Sequence, residues 1–483
     1  MRFAPRIGLL TNHRHPPHGA PTVSEAIADE LNGIDLNDKR LDKRAVTILE
    51  TLAANPEASI NAACHGWSET QAAYRFFDNE AVTPAALLQP HRAATITRVK
   101  QRPVALIVQD TTELDYGGHP PGDARCLNAA HRRGLYAHCH LAVTPDKLNL
   151  GVLRVDYHDR DPDSLGKTEE RERWPIEEKE SFRWLDGYRL ACDVAAAAPE
   201  TQVVSVADRE ADIYDIFVDA RRNEGPKAEF IIRSRVERNT TERDRAKGPK
   251  TYGKVRDDVA SSPVLATRVI ELPATPKRAA RQARLEIRAV SVLVRPPRDR
   301  LRRPEVMMNV VLVQEVGGPG DGTDVEWLLL TSLPVGTGEQ ILLAVDYYVA
   351  RWAVELFFKT WKSGCRVEQI QLETLARLKN CLAVYAIVAW RIMAVTYEAR
   401  IDPEQPCTKA FADIEWQAVW MVVKKQPLPE EPPTLGELLK MLAILGGHNN
   451  RVGEPPPGPQ TIWTGMRRMT DFARAWQIFA RVT

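Results

Sequence analysis

Cysteine is scarce in this 483-residue chain: there are seven, an odd number, and none forms a Cys-x-x-Cys pair. That excludes a disulfide framework and a paired-cysteine zinc ribbon, and it fits a reducing cytoplasm. Long apolar runs are missing too. The longest, Cys381 to Tyr397, is interrupted by Arg391 and reads as a buried helix, not a membrane span. No apolar core ahead of a small-residue cleavage site stands near the N-terminus, so we expect no secretory signal. Internal repeats are absent. What remains, with 44% hydrophobic and 27% charged residues, is the composition of an ordinary globular protein, long enough for two or three domains.

Net charge is also small, +1, but it is unevenly spread. Between Lys227 and Arg303 there are 21 Lys and Arg against 9 Asp and Glu, about +12, which leaves about −11 for the rest. Such a block suits contact with a polyanion, nucleic acid first. A solvated basic arm is the plainer reading.

The organisation is read from periodicity. Residues 1–34 begin rich in Pro, His and Gly and are expected to be a flexible tail, more so than a metal site of His13, His15 and His18. Residues 35–90 show helical spacing, with Lys39, Arg40, Lys43 and Arg44 on one face. At Pro103 the pattern changes. PVALIVQD is a short apolar run ending on Asp110, strand-like segments follow at 134–144 and 148–158, and a charged helix is expected over about 169–198. TQVVSVAD then ends on Asp208 and runs into a helix. Three strands, a helix, a buried strand and a helix is the order of a ribonuclease-H-like core. In that fold the first and fourth strands are parallel neighbours, placing Asp110 and Asp208 side by side at their carboxyl ends. Each aspartate capping the turn after its strand is the bland alternative.

The fold class expected is therefore multidomain α/β. A ribonuclease-H-like domain covers 91–375, carries a β-rich insertion at 233–326, and is followed by a helical C-terminal domain over 376–483. Pro-rich breaks at 426–434 and 454–460 punctuate that last part.

A 25-residue helix is predicted from Thr337 to Lys362. At about 100° per residue, Tyr348, Arg351, Glu355, Lys359 and Lys362 share an arc of about 80°, while Trp352, Val354 and Phe358 face elsewhere. A solvated charged stripe is the ordinary explanation, yet the rest of this helix is strongly apolar. Asp110, Asp208 and Glu355 together would suit two hard cations, Mg²⁺ or Mn²⁺, which prefer oxygen ligands and support phosphoryl transfer. Arg351 and Lys362 on the same face could hold phosphates. His138 and His140 share one strand face near the first aspartate, with His131 and Cys139 close in sequence; packing or proximity to DNA explains them better than a transition metal.

These residues resemble a known family. The Tyr-(2)-Arg-(3)-Glu-(6)-Lys spacing of Tyr348, Arg351, Glu355 and Lys362, the segments Asp208-Arg209-Glu210-Ala211-Asp212 and Asp110-Thr111-Thr112, and the stretches AAYRFFDN, WLLLTS and LGG are similar to bacterial insertion-sequence DDE transposases of the hairpin-forming, cut-and-paste type. The likeness runs from about Leu36 to near Phe479. It implies that Asp110, Asp208 and Glu355 are metal ligands for two Mg²⁺ or Mn²⁺ ions. It also implies that Tyr348, Arg351, Lys359 and Lys362 contact DNA phosphates, and that Trp327 stacks on a flipped base unless it is simply a core residue. Arg40 and Arg44 would read the terminal repeat, and Arg233 and Arg235 would hold DNA. The 35–90 segment becomes a DNA-binding domain and 376–483 a dimerisation domain. The expected partners are double-stranded DNA, as terminal inverted repeats and target, and a second copy in a homodimer. The KRLDKR cluster is spaced a little differently from the family pattern, and the C-terminal third matches in patches. The expected activity is excision by metal-dependent strand cleavage through a hairpin, then joining of 3′-OH ends to target DNA. Alternatives are a metal-dependent nuclease without strand transfer and a silent DNA-binding regulator.

Overall fold

The computed structural model describes residues 26–479 except 65, 130, 160–173, 175, 222–224, 244–250, 273, 275–278, 298–301 and 452–455. His13, His15 and His18, most of the expected tail, and the start of the charged helix expected at 169–198 lie outside the described residues. In chain order the helices are α1 (Lys39–Ala54), α2 (Ile60–Ala63), α3 (Trp67–Phe77), α4 (Pro84–Lys100), α5 (Phe182–Ala197), α6 (Tyr214–Arg221), α7 (Val255–Ala260), α8 (Gly338–Ala350), α9 (Trp352–Lys359), α10 (Leu375–Ile401), α11 (Asp413–Lys424), α12 (Leu435–Leu445) and α13 (Pro459–Phe479). The strands are β1 (Val104–Asp115), β2 (Arg125–Cys126), β3 (Arg133–Val143), β4 (Asn149–His158), β5 (Gln202–Ala207), β6 (Glu229–Arg233), β7 (Asn239–Arg243), β8 (Thr251–Lys254), β9 (Val264–Leu272), β10 (Arg281–Val294), β11 (Val306–Val316) and β12 (Glu326–Thr331).

Two compact units divide these elements. Among the described residues the first holds 102–110 and 174–352, and the second holds 26–101, 111–159 and 353–479. Strand β1 contributes to both, with the change at Asp110 to Thr111. The expected boundaries at 90 and 375 are not the boundaries of these units, because both terminal helical segments fall within the second.

In the first unit β1, β5 and β6 are parallel neighbours. In β1 and β5 the stretches Val104–Val108 and Val203–Ala207 are buried almost throughout and rich in β-branched side chains, Ser205 being the one polar residue, as strands covered on both faces require. Beyond β6 the sheet turns antiparallel: β12 pairs β6, β11 pairs β12, β10 pairs β11 and β9 pairs β10. The expected insertion is thus β-rich: β9, β10 and β11 extend the sheet that carries β1 and β5, while β7 and β8 form a two-stranded sheet of their own. Among the described residues seven of its arginines are matched to acids. Arg238 pairs with Asp212, Arg256 with Glu326, Arg268 with Asp346, Arg281 with Glu315, Arg288 with Glu286, Arg295 with Glu305 and Arg303 with Asp215. Six of these seven acids stand outside the 227–303 block, so counting charge along the sequence overstated the local field.

The second unit is built around α10, whose 27 residues are long and apolar enough to cross a membrane but are mostly buried among other helices and β4. Thr374 caps it by accepting from the Arg377 N–H. Asp38 and Thr83 cap α1 and α4 in the same way, with Pro84 in the first turn of α4. Strands β3 and β4 form an antiparallel pair, and Thr111 at the end of β1 reaches His138 on β3 at 2.8 Å. At Gly465 of α13 a Cβ would stand 2.0 Å from the Leu442 carbonyl oxygen of α12, so the two helices touch backbone to backbone.

Residues near the two ends of this unit's chain are tied into it by buried and half-buried polar contacts. Glu30, 1% exposed, accepts from His91 Nδ1 at 2.5 Å and from Arg98 Nη2. His91 Nε2 in turn accepts from the Val152 N–H at 2.9 Å, and the Arg98 guanidinium lies 4.5 Å over the Trp390 ring. Glu57 accepts from Trp463 Nε1 at 2.8 Å and from Arg467 Nη1 at 2.7 Å.

Candidate active site

Parallel pairing of β1 with β5 ends at Val108 opposite Val206. Two residues further along each strand come Asp110 and Asp208, so both carboxylates leave the same edge of the sheet in one register. Gln109 Nε2 donates to Ser205 Oγ at 3.2 Å just beneath them. Asp208 does cap the turn that follows: its side chain accepts from the Glu210 N–H at 2.8 Å. Capping and a place at the strand edge therefore coexist in this residue.

Arg351 closes over this edge. Its Nη1 donates to Asp110 Oδ2 at 2.8 Å, and its guanidinium lies 5.2 Å from the Trp352 ring and 6.0 Å from the Tyr348 ring. Tyr348 is buried, packs edge-on against Trp327 at 5.6 Å, and has its phenol pushed up by burial, against the pull of Arg351 and Arg233 and with Asp208 adding to the rise. It is therefore a neutral hydroxyl at any physiological pH. Arg233, half-buried at the end of β6, donates to the Glu326 carbonyl at 2.9 Å and has its pKa lowered by burial, with Tyr348 opposing and Arg209 and Arg351 reinforcing. Within the first unit, then, Asp110, Asp208, Arg233, Tyr348 and Arg351 form one connected polar cluster with Trp327 packed on its tyrosine. Arg235 is exposed on the turn after β6.

The other expected residues lie in the second unit. Glu355 is half-buried on α9 and Lys359 is exposed at its end. The single helix predicted from Thr337 to Lys362 is divided: α8 ends at Ala350, α9 starts at Trp352, and Thr360–Gly364 forms a π-helical turn. A π turn advances each residue by less than the usual angle. Lys362 lies on that turn, and its Nζ donates to the Glu113 carbonyl at 2.7 Å and pairs with Glu368 at 3.0 Å. Arg40 is exposed and pairs with Asp38, while Arg44 lines a shallow pocket with Thr47, Cys64, Glu69 and Phe77. His138 and His140 are buried and meet edge to face at 4.6 Å; His140 Nε2 bonds Asp156 at 3.1 Å.

Sequence reasoning missed Asp212, Glu113 and Glu368. Asp212 accepts from Ser234 Oγ and from the Arg235 and Val236 N–H groups, and pairs with Arg238. Its only signal was its place four residues after Asp208.

Chemically, two carboxylates at one strand edge with an arginine paired to one of them can exchange the guanidinium for a hard cation, because both partners supply positive charge to the same oxygens. Their oxygens fit Mg²⁺ or Mn²⁺ in kind. Among the described residues no three Asp, Glu, His or Cys side chains converge to hold an ion as placed.

Along the sequence this cluster falls between two segments that match known families. Residues 24–82 match the family described as transposase DNA-binding. Residues 387–482 match the transposase Tn5 dimerisation domain, and both matches support a transposase. Among solved structures, a chain of a piggyBac transposase synaptic complex with hairpin DNA, determined by cryo-EM, is similar at a TM-score of 0.35 and 9% identity, over 91% of this chain and 73% of that one.

Proposed function

We propose that the protein is a DDE-type DNA transposase that excises an insertion element through a hairpin and joins its 3′-OH ends to target DNA. The observation that carries this reading is the pairing of Asp110 and Asp208 at one parallel strand edge under Arg351, in a chain with transposase DNA-binding and dimerisation segments. The parallel trio β1, β5 and β6, with antiparallel β3 and β4 continuing from β1, also supports a ribonuclease-H-like core. Asp110 and Asp208 would hold Mg²⁺ or Mn²⁺, with Glu355 as the third ligand. Such ions supply charge neutralisation for the attacking and leaving oxygens of phosphoryl transfer.

The chain's own groups then have definable tasks. Arg351 moves its guanidinium from the Asp110 carboxylate to a DNA phosphate, which keeps the cluster's charge balanced as DNA enters. Arg233 lies beside it for a neighbouring phosphate, and the neutral Tyr348 hydroxyl donates to a third oxygen. Trp327 offers a base-stacking face once it leaves Tyr348, easing the tight bend of a hairpin. Lys359 and Lys362 bind backbone phosphates, Lys362 by giving up Glu368. Arg40 and Arg44 meet the terminal repeat. Water cleaves one phosphodiester to a 3′-OH and a 5′-phosphate; that 3′-OH displaces the opposite strand's alkoxide to close the hairpin. A second water reopens it before the same 3′-OH attacks target DNA. Two ends are handled by a homodimer through the C-terminal segment.

The test is incubation of the purified protein and Mg²⁺ or Mn²⁺ with a duplex carrying the inverted repeats that flank its gene, resolved on denaturing gels. Nicks and hairpins that vanish in Glu355→Gln are expected. Nicks without hairpins would point to a nuclease, and binding without cleavage to a silent regulator.

A further inference from the structure

Beside the strand-edge acids lies a turn whose construction the proposed chemistry does not use. Residues 234–238 follow β6 and carry Arg235, Val236 and Glu237 outward, Val236 with 49% of its surface exposed. An exposed branched apolar side chain at a turn tip is ordinarily backed by a loose backbone. Here the backbone is held from beneath by a single buried carboxylate. Asp212 Oδ2 accepts from the Arg235 N–H at 2.7 Å, from the Val236 N–H at 2.8 Å and from Ser234 Oγ at 3.3 Å. Its other oxygen takes the Arg238 guanidinium, with Nε at 3.1 Å and Nη2 also donating, and Arg238 Nη2 donates to the Asp212 carbonyl at 3.0 Å. Arg238 is itself buried and lies over the rings of Tyr214 and Phe217 at 5.7 and 5.1 Å. Asp212 closes the short turn that Asp208 opens. One turn of chain therefore has a strand-edge acid at its start and the anchor of an arginine-bearing turn at its end.

We propose that Asp212 is a positioning residue: it clamps the Ser234–Arg238 turn onto the Asp208 turn, so that Arg235 and Val236 are presented to DNA at a fixed place relative to the Asp208 carboxylate. The partner is duplex DNA, Arg235 meeting a phosphate and Val236 the apolar edge of a sugar or a thymine methyl. This rests on the transposase reading, which puts DNA at the Asp208 edge. A carboxylate is needed because five donors from three directions converge on two oxygens. An asparagine offers one acceptor oxygen and would set its NH₂ against either the backbone pair or the guanidinium.

Two measurements on the full-length protein test it. Hydrogen exchange of the Arg235 and Val236 amides is expected to quicken by about tenfold or more in Asp212→Asn, while β5 and β6 keep their protection. Affinity for a fluorescent duplex carrying one terminal repeat is expected to fall by about tenfold in Asp212→Asn and similarly in Arg235→Ala, as for one lost charged contact. The double variant should bind no more weakly than Arg235→Ala alone, since the aspartate acts through that arginine. Should Asp212→Asn fail to fold, Arg238→Met keeps the contact with Tyr214 and Phe217 and removes the guanidinium from the clamp. Unchanged exchange at 235 and 236 would overturn the clamp, and additive losses in the double variant would overturn its action through Arg235. A wild-type protein that ignores the duplex would instead sink the transposase reading and the DNA role with it, the exchange rates still deciding whether the clamp exists.

Discussion

Replacing Glu30 with glutamine tests how strongly the buried cluster of Glu30, His91 and Arg98 holds the second unit together. The carboxylate serves two donors at once, His91 Nδ1 and Arg98 Nη2. A glutamine keeps one acceptor oxygen and turns an NH₂ toward whichever donor remains, so one bond becomes a donor–donor clash. Arg98 is then a mostly buried cation without a counter-charge, since its other contacts are the Leu150 carbonyl at 3.0 Å and the face of Trp390. Breaking one side of a buried ion pair costs about 3–5 kcal/mol, and those two contacts place this site near about 3. That is a factor of more than about a hundred in the folding equilibrium, readable by denaturant unfolding followed through tryptophan fluorescence. The double replacement Glu30→Leu with Arg98→Met removes both charges and should fall within about 1 kcal/mol of the wild type. The pH dependence has a definite sign. Burial lowers the His91 pKa below its ordinary 6.5 despite the pull of Glu30, so the unfolded chain protonates first and stability declines as pH falls below about 6.5. For Glu30, burial raises and His91 and Arg98 together lower, with a net value below 4.5; its contribution is present above that pH and is lost as pH falls through the folded value. The Glu30→Gln variant should lack this second, more acidic loss. A loss under about 1 kcal/mol at neutral pH would refute the reasoning, because the two donors would then have found other partners.

Three further outcomes follow from described contacts. Gly465→Ala sets a methyl against the Leu442 carbonyl; overpacking of about 1–3 kcal/mol outweighs the helix-propensity gain of about 1, and a lower melting temperature in calorimetry checks it. Arg351→Ala frees Asp110 of its cation, so Mn²⁺ binding measured by calorimetry without DNA should tighten while DNA cleavage falls by about a hundredfold or more; weaker Mn²⁺ binding would count against the exchange of guanidinium for metal. Glu57→Ala removes the shared acceptor of Trp463 and Arg467 and should cost about 1–3 kcal/mol in denaturant unfolding, with Glu57→Gln recovering part of it through Trp463.

Strands β1, β3, β4 and β5 were legible because fully or half-buried strands of β-branched residues leave an unmistakable period, and Asp110 and Asp208 were legible because each ends such a run. The pairing of Asp110 with Arg351 was not, since the two are 241 residues apart and no local pattern encodes which carboxylate a guanidinium meets. The division of the helix expected from Thr337 to Lys362 was missed for a different reason. A constant angle per residue was carried through Thr360–Gly364, where burial of Trp361 and Gly364 accompanies a π turn. Asp212 stood inside a segment already singled out, but its role depends on the main chain of a turn 22 to 24 residues later, and backbone donors have no sequence signature.

The seven paired arginines between 227 and 303 bear on how this protein would respond to salt. A cation already matched to a carboxylate displaces no condensed sodium or potassium when it nears a duplex, because it arrives as half of a neutral pair. The slope of log affinity against log salt, about −0.9 per phosphate neutralised on B-form DNA, therefore counts only those side chains whose acid the DNA replaces or that never had one. A titration in potassium chloride would read fewer than 21 ionic contacts from this block.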